Sequence, residues 1–481
     1  MKKVSKKVAK KISKLPILII ILLIILGLVF YFLIYPNMDK ILAALMPNEN
    51  QTTTIANPTT TTRVHSGESY DNGIKYAGDN VKLCDDGYVE DAIYENFEIH
   101  FMELGNEYAG DSTYIKAGDI DIIIDAGSRQ NSAPTICEYV NQYCTDGIIE
   151  YVIATHAHQD HIAGFVGTKK KTTTPFGYDS ERTGLLYYYK VGTIIDFALT
   201  DISTTTEKGN NTLYGDYCDA VAYAVSKGAV HYTAAQCFNE EDGAKKHYSL
   251  SETLNISFDV IYNKYYFYRD RDMGKNKDTD ENNYSVCTMF NYGDLHFLLT
   301  GDLEEEGEEY MAEYYDGSSI EKTLPEVELF KAGHHGSNTS SNDCLLNKIK
   351  PKICCVCCCA GCNEYTPNLD NIFPTQAFIN RIAKHTDRVY VTSMLNNAET
   401  ISQGKNVFES MNGNICISSN GDYIAIYASN NLTKLKDTDW FNEEVYLILD
   451  KGIYKVSEKK QSSYYSSTTE GAVKRVRRTW P

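Results

Sequence analysis

The stretch Ala154-Thr155-His156-Ala157-His158-Gln159-Asp160-His161 constrains this chain more than any other. Three imidazoles and a carboxylate fall within six residues, directly after Glu150-Tyr151-Val152-Ile153-Ala154, a short apolar run that reads as a buried strand. Residues two apart on an extended strand point the same way, so His156 and His158 aim at one point. Asp160 and His161 follow in a tight turn and face a second point a few ångströms away. Ile162-Ala163-Gly164 reads as the start of a helix. Imidazole and carboxylate donors together suit zinc, manganese or iron. With only 11 histidines in 481 residues, a chance surface cluster in this pattern is a poor account of it.

The N-terminus carries a different signal. Residues 1–14 hold seven lysines, and Leu15 to Tyr35 is a 21-residue stretch without a charge, rich in Ile and Leu. At 1.5 Å per residue such a helix is about 31 Å long, enough to cross the hydrocarbon core. Lysines on the N-terminal flank predict that flank to be cytoplasmic and the bulk of the chain to lie outside the cell. A cleaved signal peptide is the rival reading, but the apolar run is long for one and Leu42-Ala43-Ala44-Leu45 is a poor cleavage site. The expected organisation is a cytoplasmic basic segment at 1–14, a single-pass membrane anchor at 15–35 and a Thr-rich flexible linker at 36–95. A folded domain then spans 96–430, and an appendage with a basic tail occupies 431–481.

Composition narrows the function classes. With 43% hydrophobic and 23% charged residues the chain is globular rather than disordered. The net charge is −18, and because residues 1–35 supply seven lysines and no acid, the remainder carries −25. A body this acidic repels polyanions at long range, which counts against extended duplex binding, although bound metal cations reverse that locally. Of the 14 cysteines, 7 lie between Cys344 and Cys362, a skew unlike a disulfide framework. In Ile353-Cys354-Cys355-Val356-Cys357-Cys358-Cys359-Ala360 neighbours point to opposite faces, so adjacent pairs are poor disulfide partners and a fully buried strand is expected. A thiolate metal cluster is the sharper alternative.

Along the body, Phe97–Met102, Asp111–Ile115 and Ile120–Ile124 read as strands, the last running into Asp125-Ala126-Gly127. Ile136, Tyr139, Val140 and Tyr143 share one helical face, with Gly147 as the stop. Strand pairs, a helix, then a strand bearing the ligand cluster indicate a layered α/β domain. Residues 165–280 hold a strand at Val191–Asp196, a helical run near Ala220–Val225, a strand at Ile256–Ile261 and a charged loop at Asp270–Asp280. That region is expected to shape the substrate mouth. A helix near Gln376–Lys384, a strand at Val389–Thr392 and a closing pair at Ile415–Ile417 and Tyr423–Ile426 follow. Lys474-Arg475-Val476-Arg477-Arg478 reads as a solvated basic tail.

Two more strands end in ligand-type residues. Phe297-Leu298-Leu299-Thr300-Gly301-Asp302 is followed by Glu304, and Val327–Ala332 runs into Gly333-His334-His335-Gly336-Ser337. Adjacent histidines point to different sides, so one binds metal while the other contacts substrate; His335 is taken as the ligand and His334 as the substrate contact. Lys331 is given a structural role. The glutamates 304–309 read equally well as an acidic helix start.

The octet at 154–161 resembles the metal-binding signature of the metallo-β-lactamase fold superfamily. The ordered series Gly110-Asp111-Ser112, Asp125-Ala126-Gly127, His156–His161, Asn282–Val286, Leu299–Glu304 and Gly333–Ser337 is similar to the metallo-β-lactamase domain of the competence protein ComEC and its stand-alone relatives, over roughly residues 96–428. The HxHxDH, GDLE and HHG segments also resemble bacterial phosphorylcholine esterases. The resemblance implies an αββα sandwich with metals at the sheet edges, Asp302 as a carboxylate bridging two cations, and hydrolysis, often of phosphodiesters. Two positions depart from the family pattern. Asn282 or Asn283 stands where many members have a further histidine, and Phe373-Pro374 stands where competence-type domains tend to carry His-Pro.

The combined expectation is a membrane-anchored, extracellular, binuclear metal-dependent phosphodiesterase. His156, His158, Asp160, His161, Asp302 and His335 would hold two divalent ions, zinc or manganese. Asp160 and His334 would act in catalysis, and Asn283, Glu304 and Ser337 would contact substrate. The substrate would be a cell-wall polymer or a nucleic acid; β-lactams have only the fold name to support them. No protein partner is inferable. The alternative is a non-catalytic surface scaffold with a degenerate site.

Overall fold

The computed structural model describes residues 74–76, 81–84, 96–106, 108–266, 280–361, 372–396, 407–422, 424–442, 445–450, 453–457, 473–476 and 478–481. The basic segment 1–14, the apolar run 15–35, most of the Thr-rich linker and the charged loop up to residue 279 lie outside them. Among the described residues no helix is long and apolar enough to cross a membrane.

The first half of the body builds one sheet from β1 Ile74–Tyr76, β2 Val81–Cys84, β3 Phe97–Phe101, β4 Thr113–Ala117, β5 Ile120–Ile124 and β6 Ile148–Ile153. After a two-residue pair, β7 Thr172–Thr173 and β8 Asp179–Ser180, the same sheet gains β9 Lys190–Asp196 and β10 Val230–Thr233. The second sheet comprises β11 His247–Ser251, β12 Ile256–Ile261, β13 Cys287–Tyr292, β14 Leu295–Leu299, β15 Leu329–Lys331, β16 Ile353–Ala360, β17 Val389–Asn396 and β18 Val407–Ser410. The chain then returns to the first sheet with β19 Ile415–Ser419 and β20 Ile424–Ala428, so its order is β1-β2-β20-β19-β3-β4-β5-β6-β9-β10. The second sheet runs in chain order from β11 to β18.

Helices cover the outer faces. On the first sheet lie α1 Ala133–Val140, α2 Gln159–Val166 and α3 Leu213–Ser226. Between second-sheet strands come α4 Glu305–Tyr314, α5 Asp343–Ile349 and α6 Gln376–Ile382. The two sheets meet face to face through aromatic contacts: the Phe97 and Phe297 rings are 5.1 Å apart and the Tyr151 and Phe258 rings 5.3 Å apart. This is the expected αββα layering.

The cysteine strand β16 shows how period-2 geometry serves a strand buried on both faces. Cys355 and Cys357 join the core between the sheets, while Cys354, Val356 and Cys358 join the outer core with Leu345, Leu346 and Phe378. All five cysteines of the strand are free thiols, and burial pushes the Cys354 and Cys357 thiols up. Among the described residues no group of metal-ligating side chains includes a cysteine of β16.

Several element bounds differ from the sequence reading for visible reasons. β4 begins at Thr113 rather than Asp111, because Asp111 turns its carboxylate to Lys331 and its N–H to the Asp160 carbonyl, 3.0 Å away. α1 ends at Val140, so Tyr143 lies past it, its ring 4.5 Å from His100. The basic tail is not simply solvated. Val473–Val476 forms β23, paired antiparallel with β21 Val445–Asp450, which also pairs with β22 Ile453–Ser457. Arg478 then stacks 3.4 Å over the Trp440 ring.

Candidate metal centre

The site lies at the carboxyl ends of parallel strands from both sheets, where a layered α/β fold leaves a crevice. β5 and β6 are parallel neighbours and end in Asp125 and Thr155-His156; β14 and β15 are parallel neighbours and end near Asp302 and His334-His335. Two close backbone approaches fix the turns. A Cβ on Gly127 would stand 1.4 Å from the Asp160 carbonyl oxygen, and one on Gly164 would stand 2.3 Å from that of Ala126. Only glycine lets the 125–127 turn press against the first turn of α2.

Four ligand-type atoms converge on one point. Asp160, His161, Asp302 and His335 are all buried, and their donor atoms lie within 4.8 Å of one another. His161 Nε2 is 3.0 Å from Asp302 Oδ2, and His335 Nε2 is 3.3 Å from both Asp160 Oδ2 and Asp302 Oδ2. Ligands about 2.1 Å from a tetrahedral cation lie roughly 3.4 Å from each other, so these spacings and this donor set fit a divalent metal. Burial opposes charge on His335, but Asp302 and Asp111 beside it push its pKa up to about 10. Burial would likewise raise Asp302, yet His161 and His335 hold it well below the usual carboxylate range.

His156 and His158 form a second, adjoining set. His156 Nε2 is 3.0 Å from His158 Nδ1, which is 2.8 Å from Asn282 Oδ1. Burial keeps the His156 pKa well below its ordinary value, with the positive fields of His161 and His158 acting in the same direction. A neutral imidazole is the form that binds metal. The atom facing this pair is thus an amide oxygen rather than a third imidazole.

Groups behind the ligands hold them in place. Asp125 Oδ2 accepts from His161 Nδ1 at 2.8 Å and from Thr155 Oγ1 at 2.7 Å. His335 Nδ1 donates to the Cys357 carbonyl at 2.7 Å. Lys331 is ion-paired with Asp111, lies 3.8 Å from Asp302 Oδ1 and donates to the carbonyls of Gly301 and Ala332 at 3.1 and 3.0 Å. Asp111 and Asp125 belong to the motif series, but no role at the metal was expected of them or of Lys331. A carboxylate at the end of the apolar β5 was the available signal.

A cavity of about 570 Å³ opens over the cluster, lined among others by Asp160, Asp302, His158, Asn282, Glu304, His334, Ser337 and Phe373. His334 Nδ1 is 2.9 Å from Glu304 Oε1, which also accepts from Thr339 Oγ1 at 2.7 Å and Asn282 Nδ2 at 3.1 Å. Phe373 packs against both His334 and His335, with ring centroids 5.5 and 5.8 Å away. Asn283, expected at the substrate, is not in that lining. Its amide oxygen accepts from Gly307 N at 3.0 Å, since the 281–284 turn aims the neighbouring Asn282 at the cavity instead.

Comparison with known proteins gives this geometry a family. Residues 105–202 match the family model described as Metallo-beta-lactamase superfamily. The matching segment contains β4 to β6, α2 and the whole HxHxDH stretch. Residues 105–202 are a metallo-β-lactamase segment. The chain is 32% identical over 118 residues to Competence protein ComA of Neisseria gonorrhoeae, covering 24% of this chain and 15% of that protein. It is 28% identical over 114 residues to ComE operon protein 3 of Bacillus subtilis, covering 23% of this chain and 13% of that one. The chain therefore spans a small part of these competence relatives, and the matched segment resembles theirs.

Solved metallo-β-lactamase-fold structures are more distant. The fold protein YhfI of Bacillus subtilis is 10% identical, with 61% of this chain and 95% of that one covered at a TM-score of 0.31. Human tRNase Z, short form, is 12% identical, with 61% and 92% covered at a TM-score of 0.28.

Proposed function

We propose that this metallo-β-lactamase domain is a metal-dependent phosphodiesterase, held by the apolar segment 15–35 on the outer face of the cell membrane. The observation that carries the reading is the convergence of Asp160, His161, Asp302 and His335 beneath a cavity whose wall presents the His334–Glu304 pair. The membrane placement rests on the lysine-flanked apolar run alone.

Bound divalent cations would supply Lewis acidity and lower the pKa of a coordinated water toward neutrality. The nitrogen and oxygen donors of Asp160, His161, Asp302 and His335 would suit zinc or manganese. Around them the chain positions the reacting groups. Glu304 accepts from His334 Nδ1, which fixes the tautomer and leaves Nε2, 4.0 Å from Asp302 Oδ2, directed at the cavity. As the imidazolium, with Nδ1–H on Glu304 and a second proton on Nε2, His334 gives the Nε2 proton to the leaving oxygen and stabilises developing negative charge until it does. Asp160 spends a carboxylate oxygen on the ligand cluster, while Ser337 and Thr339 offer hydroxyls on the cavity wall. Phe373 excludes water from the side where His334 and His335 meet.

The test uses the full-length chain in detergent with added Mn²⁺ or Zn²⁺, metal analysis, and turnover of bis-p-nitrophenyl phosphate. Bound metal and a turnover lost by at least about a thousandfold in Asp302→Ala are expected. A metal-free, inactive chain would instead establish a surface scaffold.

A further inference from the structure

A second cavity of about 540 Å³ adjoins the first, and Arg129 and Gln159 line both. We propose that it receives the next unit of a phosphodiester-linked polyol or sugar chain, with Arg129 gripping the phosphate between the two units. This rests on the phosphodiesterase reading and names its substrate class.

Arg129 follows the Asp125–Gly127 turn and is the one Lys or Arg among the residues lining the metal cavity, beside Asp160, Asp280, Asp302 and Glu304. Its guanidinium stacks 3.9 Å over the Tyr108 ring, and Nη1 donates to the Ser128 carbonyl at 2.9 Å. With the Gln159 amide turned so that its oxygen faces the guanidinium, Nε and Nη1 lie 3.1 and 2.7 Å from it. These contacts hold the guanidinium plane at the boundary of the two cavities, and a phosphate arriving there would take over N–H groups now spent on Ser128 and Gln159, in the paired geometry that suits it.

The far wall is built for hydroxyls. Gln130, Asn131, Thr168, Asn211 and Thr212 present amides and hydroxyls, and the one acid, Asp216, is paired with Arg182 at 3.4 Å. A nucleic acid would want an aromatic face for base stacking. The single ring in this lining, Tyr108, already carries the Arg129 guanidinium on its face. Polar side chains without a stacking platform favour a polyol or sugar.

Steady-state kinetics on the full-length chain with Mn²⁺ would compare bis-p-nitrophenyl phosphate, small enough for the metal cavity alone, with poly(glycerol phosphate). Arg129→Ala should lower kcat/KM on the polymer at least tenfold more than on the small diester, chiefly through KM, and Arg129→Lys should recover part of it. Asn131→Ala should show the same substrate bias more weakly. Equal losses on both substrates would overturn the second-cavity assignment and leave the hydrolase reading standing. Calorimetric binding of poly(glycerol phosphate) to the same variants reads the groove without turnover. Binding that depends on Arg129 in a chain inactive on both substrates would refute the hydrolase and keep the groove, and binding indifferent to Arg129 would refute the groove. A poly(dT) strand bound as tightly, and weakened equally by Arg129→Ala, would overturn the choice of a polyol chain.

Discussion

Asp125 and His161 are joined by a 2.8 Å contact between Oδ2 and Nδ1, which turns the opposite ring nitrogen of His161 toward Asp302, 3.0 Å away. Asp125 is not among the residues lining the metal cavity, yet it sets the tautomer and direction of a ligand at the centre of the site. Removing such a partner usually costs 10–100-fold in metal affinity. Asp125→Ala should therefore weaken the tighter metal by about that factor in a chelator competition. Unaltered affinity would mean that the 155–161 backbone alone orients the imidazole.

The amide at Asn282 predicts two unequal metal sites. Asp160, His161, Asp302 and His335 would bring charged carboxylates to one cation, whereas a cation at His156 and His158 would have only a neutral oxygen, 2.8 Å from His158 Nδ1, beside them. Dialysis against a weak chelator should leave about one equivalent of metal per chain, and Asn282→His should retain a second. Two equivalents of equal affinity in the unaltered chain would contradict this.

His334 should matter in proportion to how badly the leaving group needs a proton. His334→Ala is expected to lower kcat by about 10²–10⁴-fold on an alkyl phosphodiester and by less on bis-p-nitrophenyl phosphate, whose leaving group departs readily without one. Glu304→Gln should follow the same order with smaller losses, because Glu304 acts through the His334 ring. Equal losses on both esters would assign His334 to binding rather than proton transfer.

Glu308 gives a pH-dependent stability. Its buried carboxylate accepts from the Ser341 and Asn342 N–H groups at 2.6 and 2.7 Å, at the start of α5. Burial nevertheless raises its pKa from 4.5 to about 7, against the opposing pull of those hydrogen bonds and of Arg381. Between those two values the folded chain keeps a proton that the unfolded chain has released, so stability falls as pH rises through the window. The fall should amount to about 3 kcal/mol, and Glu308→Gln should remove it from urea midpoints measured across the range. Parallel curves for the two proteins would refute the assignment.

The HxHxDH cluster announced itself because its spacing on a strand end leaves few alternatives to metal binding, and GDLE and GHHGS each followed an apolar strand for the same reason. The cysteine strand was legible too, since eight apolar or cysteine residues in a row, Ile353–Ala360, fit a doubly covered parallel strand and little else. Asp111 and Asp125 stood in the motif series, but nothing in the sequence placed them, or Lys331, against a particular ligand. Each is an ordinary charge at a strand end until the fold brings it beside a ligand. Asn282 and Asn283 were indistinguishable in sequence, and the turn at 281–284 alone decided which of them faces the cavity. Arg129 carried no sequence signal, because its position between two cavities exists only once α2 and the 125–129 turn are packed together.

Local periodicity and ligand spacing are encoded within a few residues, so the sequence by itself determined the strands, the ligand types and the kind of chemistry available. Which atoms meet was decided by tertiary structure. The convergence of His161 from one sheet with Asp302 and His335 from the other depends on how two twisted sheets stack, and that follows from packing the whole core rather than from any one segment.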